Sequence, residues 1–205
     1  RREDIPSLLF AFMCSAFALR QWVNGKMSQA LGIGHSSDAF AGYLALEYMT
    51  MPLAVMSGSL FLSALVPGSH YKRFIYAVAV LPGCALILFT SLADRIVYTA
   101  SIKIYELHIL LSCLGALVYL GHKAFVGHGL ARRLCFAFGI LALGVINDVL
   151  HSERIIVSTF IGPYTFIAFV LVQTGILSGV AARAHQKAEH LGENLQKEVQ
   201  SQTRE

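Results

Sequence analysis

Six stretches of mainly apolar residues alternate with short polar or glycine-containing segments along the chain. They run from Ile5 to Val23, Asp38 to Val66, Phe74 to Leu92, Ile104 to Gly121, Ala131 to Leu150, and Ser158 to Ala181. A helix needs roughly 20 such residues to cross the hydrocarbon core of a bilayer. The pattern therefore predicts an all-α, polytopic membrane helix bundle, with residues 1–182 as its transmembrane domain. The sixth stretch does not stop at a turn. It passes without Pro or a Gly run into a charged, helix-forming tail, residues 183–205, and a helix continuous across that join carries movement in the bilayer to whatever lies beyond it.

The tail is nearly neutral, so its character comes from spacing. Ala184, Ala188, Leu191, Leu195 and Val199 recur at steps of three and four and mark one helical face. The last step leaves a strict heptad and puts Glu198 where an apolar residue is expected, which changes local coiled-coil winding. The spacing fits a cytoplasmic signalling helix in a parallel homodimer, or a solvated amphipathic helix on the bilayer surface.

Composition agrees with the membrane reading. The chain is 56% hydrophobic and 14% charged, with a mean hydropathy of +0.61, too apolar for an ordinary soluble domain of this length. The first stretch is a poor signal peptide, because Leu19-Arg20-Gln21-Trp22 offers no small-residue cleavage site. Lys and Arg concentrate on the side that holds both termini, including Arg1, Arg2, Lys72, Arg73, Arg132 and Arg133. The positive-inside rule makes that side cytoplasmic. The net charge of +4 is thereby a topology signal and implies no nucleic-acid partner. Cys14, Cys84, Cys113 and Cys135 are scattered through apolar spans and read as core residues, with no disulfide or metal framework.

Polar groups inside a span mark candidate function, because lipid penalises them unless they are paired or face a cavity. Glu47 lies about 15 Å along the second helix, beside Tyr48 and ahead of Pro52, and reads as a ligand contact, a coupling switch or a packing carboxyl. Asn147 and Asp148 stand near the external end of the fifth span, with His151, Glu153 and Arg154 beyond; they either line a pocket mouth or hold the loop to its neighbour. Asp94, Arg95, Lys103, Glu106 and His108 form another external set, mostly solvated, from which His108 and Tyr105 are best able to reach inward. Gln173 is a further candidate within the last span. Pro52, Pro82 with Gly83, and Pro163 after Gly162 predict kinks, as hinges or static bends. Gly175 and Gly179 have the spacing of a membrane helix contact and precede the tail, a candidate dimer face.

The run Leu143-Gly-Val-Ile-Asn-Asp-Val-Leu-His151, then Ile155-Ile156, Gly162-Pro163, Gln173 and the exit Glu198-Val-Gln-Ser-Gln-Thr-Arg-Glu205, resembles the bacterial seven-transmembrane receptors with diverse intracellular signalling modules. Upstream, Arg2-Glu-Asp, Leu8-Leu-Phe, Ala18-Leu-Arg20 and Glu47-Tyr48 resemble that family's earlier helices. The exit departs from its usual Arg-Thr-Glu ending, since Gln202 precedes Thr203. The resemblance implies a seventh membrane helix before residue 1 and an output domain after Glu205: a histidine kinase, a nucleotide cyclase or a cyclic-dinucleotide enzyme. It implies a receptor in the bacterial inner membrane, with both ends of this chain cytoplasmic. Its partners would be the lipid bilayer, a second copy, an unidentified ligand and the output domain. No catalytic residue, cofactor or metal is expected in this chain.

Two other classes compete. A small transporter would line its path with Glu47, His108, Asp148 and Gln173, yet the first and last three spans show no matching repeat. A haem protein would need axial His pairs on facing helices, but beyond His108 and His122 the His residues fall in loops, at helix ends or in the tail.

Overall fold

The computed structural model describes residues 4–24, 37–66 and 68–202. The described chain forms helices α1 (Asp4–Asn24), α2 (Ser37–Leu65), α3 (Ser69–Leu92), the short α4 (Arg95–Ala100), α5 (Ile102–Phe125), α6 (Gly129–Ser152) and α7 (Gly162–Gln202). Among the described residues there is no strand, and six helices are long and apolar enough to cross a membrane. Arg1, Arg2, Lys26, His35, Thr203, Arg204 and Glu205 lie outside the described residues.

Helix α1 packs beside α2, α2 beside α5, α5 beside α6 and α6 beside α7, so these five helices form a ring. Its closure between α1 and α7 is the sparsest seam, made in part by Phe17 stacked on Phe166 with ring centroids 3.5 Å apart. Helix α3 stands outside the ring against α2 and α5. Side chains facing outward are apolar, as at Leu88, Leu114, Val118, Phe136 and Leu143, which is what a hydrocarbon solvent requires.

The two ends of the bundle are filled differently. One end holds a close-packed core including Phe61, Leu62, Leu120, Leu134 and Phe169. At the other, Tyr48 meets Tyr98 and Tyr105 edge-on, each with centroids 5.2 Å apart. The Tyr105 hydroxyl is 2.6 Å from Thr90 Oγ1 on α3. Tyr98 belongs to α4, a helix inside the segment expected to be a solvated loop, and it is buried. Aromatic packing onto α2 and α5 orders this turn.

The prolines act in three ways. Pro52 is fully buried inside α2. Pro82 follows a π-helical turn, Tyr76–Val80; its ring crowds the carbonyl four residues earlier, and the widened turn gives it room. Pro163 instead occupies the second position of α7, where a missing N–H breaks no ladder bond. It starts a helix and does not kink one, and residues 158–161 lie before that helix.

Helix α7 continues for 41 residues to Gln202. The join between the domains expected at 182 and 183 falls within this one helix. In the tail, His185 Nε2 is 3.3 Å from Glu189 Oε1 one turn on, and Leu191 is 65% exposed. The side chains of Ala188, Leu195 and Val199 lie outside the described set.

Candidate functional site

The ring encloses a cavity of about 660 Å³ at the end where α1 finishes and α7 begins. Its deeper wall is apolar, with Met13, Val55, Ile109, Cys113 and Phe138, and its polar rim carries Arg20, Gln21, Glu47, Glu106, Asp148 and Ser152. An apolar space with few convergent polar groups is the usual form of a small-molecule site. The helical period explains the lining: Met13, Phe17 and Arg20 share one face of α1, and Glu106, Ile109 and Cys113 one face of α5.

Arg20 links α1 to α2. Its Nη1 donates to the Glu47 carbonyl at 3.3 Å, and the same oxygen accepts from Thr50 Oγ1 at 2.8 Å. This turn lies just before Pro52, where the helix ladder loses a donor. Arg20 interacts electrostatically with the carboxylates of Glu47 and Asp148, so opposite charges within the spans compensate one another.

Asp148 holds the start of α7. Its Oδ1 accepts from the Ile161 backbone N–H at 2.8 Å, and its Oδ2 from the Gly162 N–H at 3.0 Å. Both donors belong to the positive N-terminal end of the helix, where an anion is stabilised. Asn147 Nδ2 donates to Asp148 Oδ1 at 3.1 Å and to the Thr159 carbonyl at 2.8 Å, tying the loop to α6. A side chain at position 162 would collide with the Asp148 carboxylate, and one at 144 with Thr165. Glycine at both positions lets α6 and α7 approach closely.

Glu106 is 9% exposed and accepts from Ser152 Oγ at 3.2 Å, while nearby Lys103 pairs with Glu153 at 3.1 Å. Six residues further along α5, Ser112 also lines the cavity. It is 5% exposed and its hydroxyl has no hydrogen-bond partner.

Of the residues singled out by sequence, Glu47 and Asp148 come together on this cavity, and Pro163 lies beside them at the α7 start. Tyr48 turns into the aromatic cluster and Asn147 to the loop. His108 points toward α3, where its Nε2–H donates to the Ala79 carbonyl at 3.1 Å within the π-helical turn. Gln173 is fully buried, its side-chain N and O unpartnered, and does not line the cavity. Gly83 packs against Met56, whereas Gly175 has open space before it and Gly179 meets only the far end of Arg183. Sequence reasoning passed over Ser112, gave Arg20 no role in a site, and placed Glu106 in a mostly solvated external set, whereas all three line the cavity. The signal was present in the three- and four-residue steps that set Arg20 behind Met13 and Phe17, and Glu106 ahead of Ile109 and Cys113.

Among the described residues no group of three His, Cys, Asp or Glu side chains is placed to hold a metal ion. No curated protein and no solved structure matches the chain. Residues 1–183 match the family model described as 7TM diverse intracellular signalling, and the chain therefore belongs to that family of multi-pass transmembrane sensory receptor modules with intracellular signalling.

Proposed function

We propose that the cavity is the input site of this receptor module and that α7 is its output shaft. The observation that carries this reading is the double role of the α7 start: Gly162, Pro163 and Phe166 form part of the cavity wall, and the same helix runs unbroken to Gln202. An occupant touches the end of a rod about 60 Å long at the usual helical rise. It biases that rod only by binding its two positions with different affinities, and the Asp148 cap is the contact those positions would differ in.

In this reading the chain sits in a bacterial inner membrane with both ends cytoplasmic, as the distribution of Lys and Arg supports. Two copies pair through the tail, with Gly175 and Gly179 allowing close approach above it. The tail drives a cytoplasmic output domain beyond residue 205: a histidine kinase, a nucleotide cyclase or a cyclic-dinucleotide enzyme.

Inserting residues after Leu191 in the full-length protein tests the shaft. One inserted residue rotates everything beyond it by about 100°, whereas seven return it to within about 20°. The output reaction should be strongly biased or lost with one residue and largely retained with seven. Equal output from both insertions, or protein-dependent solute uptake into proteoliposomes, would overturn the reading.

A further inference from the structure

We infer that the cavity takes an amphipathic amine: a protonated amine head held at Glu106, an apolar body, and a second hydrogen-bonding group reaching Ser112. This rests on the cavity being the receptor's input site, and it adds the chemical class of the occupant.

The charges on the rim decide the sign. Arg20 is the one cation among the described cavity-lining residues, against the carboxylates of Glu47, Glu106 and Asp148. It is already engaged, by the Glu47 carbonyl and by the fields of Glu47 and Asp148. Asp148 is compensated by two backbone N–H groups at a helix start and by the Asn147 amide. Glu106 is less fully compensated. It accepts one neutral hydrogen bond from Ser152, its carboxyl also meets that of Glu153, and the Lys103 ammonium near both is paired with Glu153. An anionic ligand would enter a rim with surplus negative charge, whereas an ammonium group completes it, and low dielectric strengthens both effects.

The depth of the cavity sets the rest of the ligand. Below Glu106 the lining is apolar, with Met51, Val55, Ile109 and Phe138, which suits a hydrocarbon or aromatic body. Two serines interrupt it, Ser59 and Ser112, and of these the Ser112 hydroxyl is buried without a partner. Native structures seldom leave a buried polar group unmade, so a ligand group that bonds there gains affinity. Glu106 and Ser112 are six residues apart on one helix, about 9 Å along its axis and roughly 120° around it, and that offset sets the scale of separation between the two polar groups of the occupant.

Tyramine is a fitting probe, because its amine and hydroxyl stand at opposite ends of an aromatic body. Phenethylamine lacks the hydroxyl, and 3-(4-hydroxyphenyl)propanoate replaces the cation by an anion. Equilibrium dialysis of each against the full chain in nanodiscs of zwitterionic lipid, corrected with empty nanodiscs, should give saturable binding of the amines and none of the propanoate. Glu106→Gln, which keeps an acceptor for Ser152, should weaken both amines by about tenfold or more. Ser112→Ala should weaken tyramine several-fold and leave phenethylamine unchanged. The inference is overturned if the propanoate binds in preference, if neither amine saturates at millimolar concentration, or if tyramine binds Glu106→Gln as it binds the parent chain. Should Glu106→Gln fail to fold, the order of the three probes on the parent chain and the Ser112→Ala difference decide alone. The phase insertions use no ligand, so a failure here leaves the receptor reading to its own test.

Discussion

Replacing Asp148 by Ala removes the carboxylate that accepts the Ile161 and Gly162 N–H groups, and with it the anchor between α6 and the start of α7. Loss of a helix cap costs about 1 kcal/mol, and each buried donor left without a partner about 1–3 kcal/mol. Partial relaxation of the loop brings the expected total to about 2–4 kcal/mol. If that energy is spent on local opening of the first turn of α7, the opening equilibrium rises roughly 30- to 700-fold. Hydrogen exchange in detergent or nanodiscs reads this directly, as faster exchange across residues 161–166, while amides in the middle of α6 and α7 stay protected. Asp148→Asn keeps one acceptor and should fall between the parent chain and Asp148→Ala. Protection unchanged within about threefold in Asp148→Ala would refute the cap as the hold on α7.

Other consequences can be checked in the same preparations. Gly144→Ala drives a methyl group into Thr165 and should cost about 1–3 kcal/mol in equilibrium unfolding; Gly139→Ala, with nothing within 4 Å of its new methyl, should cost nothing. Tyr105→Phe breaks the bond to Thr90 while the Thr90 hydroxyl keeps its bond to the Leu86 carbonyl. It should lower stability by about 1 kcal/mol, measured as a shift of the unfolding midpoint with unchanged slope.

Much of the fold was legible because lipid imposes a strong rule: six apolar runs of spanning length became six spanning helices, and the first matched Ile5–Val23 at both ends. The continuity of the last span into the tail was legible for a related reason, since no breaker interrupts it. Boundaries were less so. Residues 158–161 are apolar enough to belong to the last span, yet Asp148 captures the Ile161 and Gly162 N–H groups and fixes the helix start at Gly162. That is a tertiary contact, and no local pattern encodes it. Pro163 looked like a kink for the same reason, since its meaning depends on where the helix begins.

The site was half legible. Intramembrane polarity pointed to Glu47 and Asp148, which face the cavity, and equally to Tyr48, His108 and Gln173, which do not. Depth in a span does not reveal which helix a face meets. Glu106 was counted with mostly solvated neighbours near a helix end and Arg20 was given no role in a site, although their three- and four-residue spacing to apolar partners put them on inward faces. Ser112 carried no signal at all, because a lone serine in a membrane helix usually bonds to its own backbone, and only the packed structure leaves it without a partner.

The central claim is that the state of the cavity end is passed down α7 to the tail. Its most direct test is the spin-label distance between Leu191→Cys on the tail and Phe125→Cys at the same end of α5. The other cysteines would be replaced and the labelled chain diluted with unlabelled chain. The account predicts that Asp148→Ala displaces or broadens this distance distribution, although the substitution lies at the opposite end of the bundle. Distributions that coincide, in samples where hydrogen exchange shows the α7 start released, would contradict it.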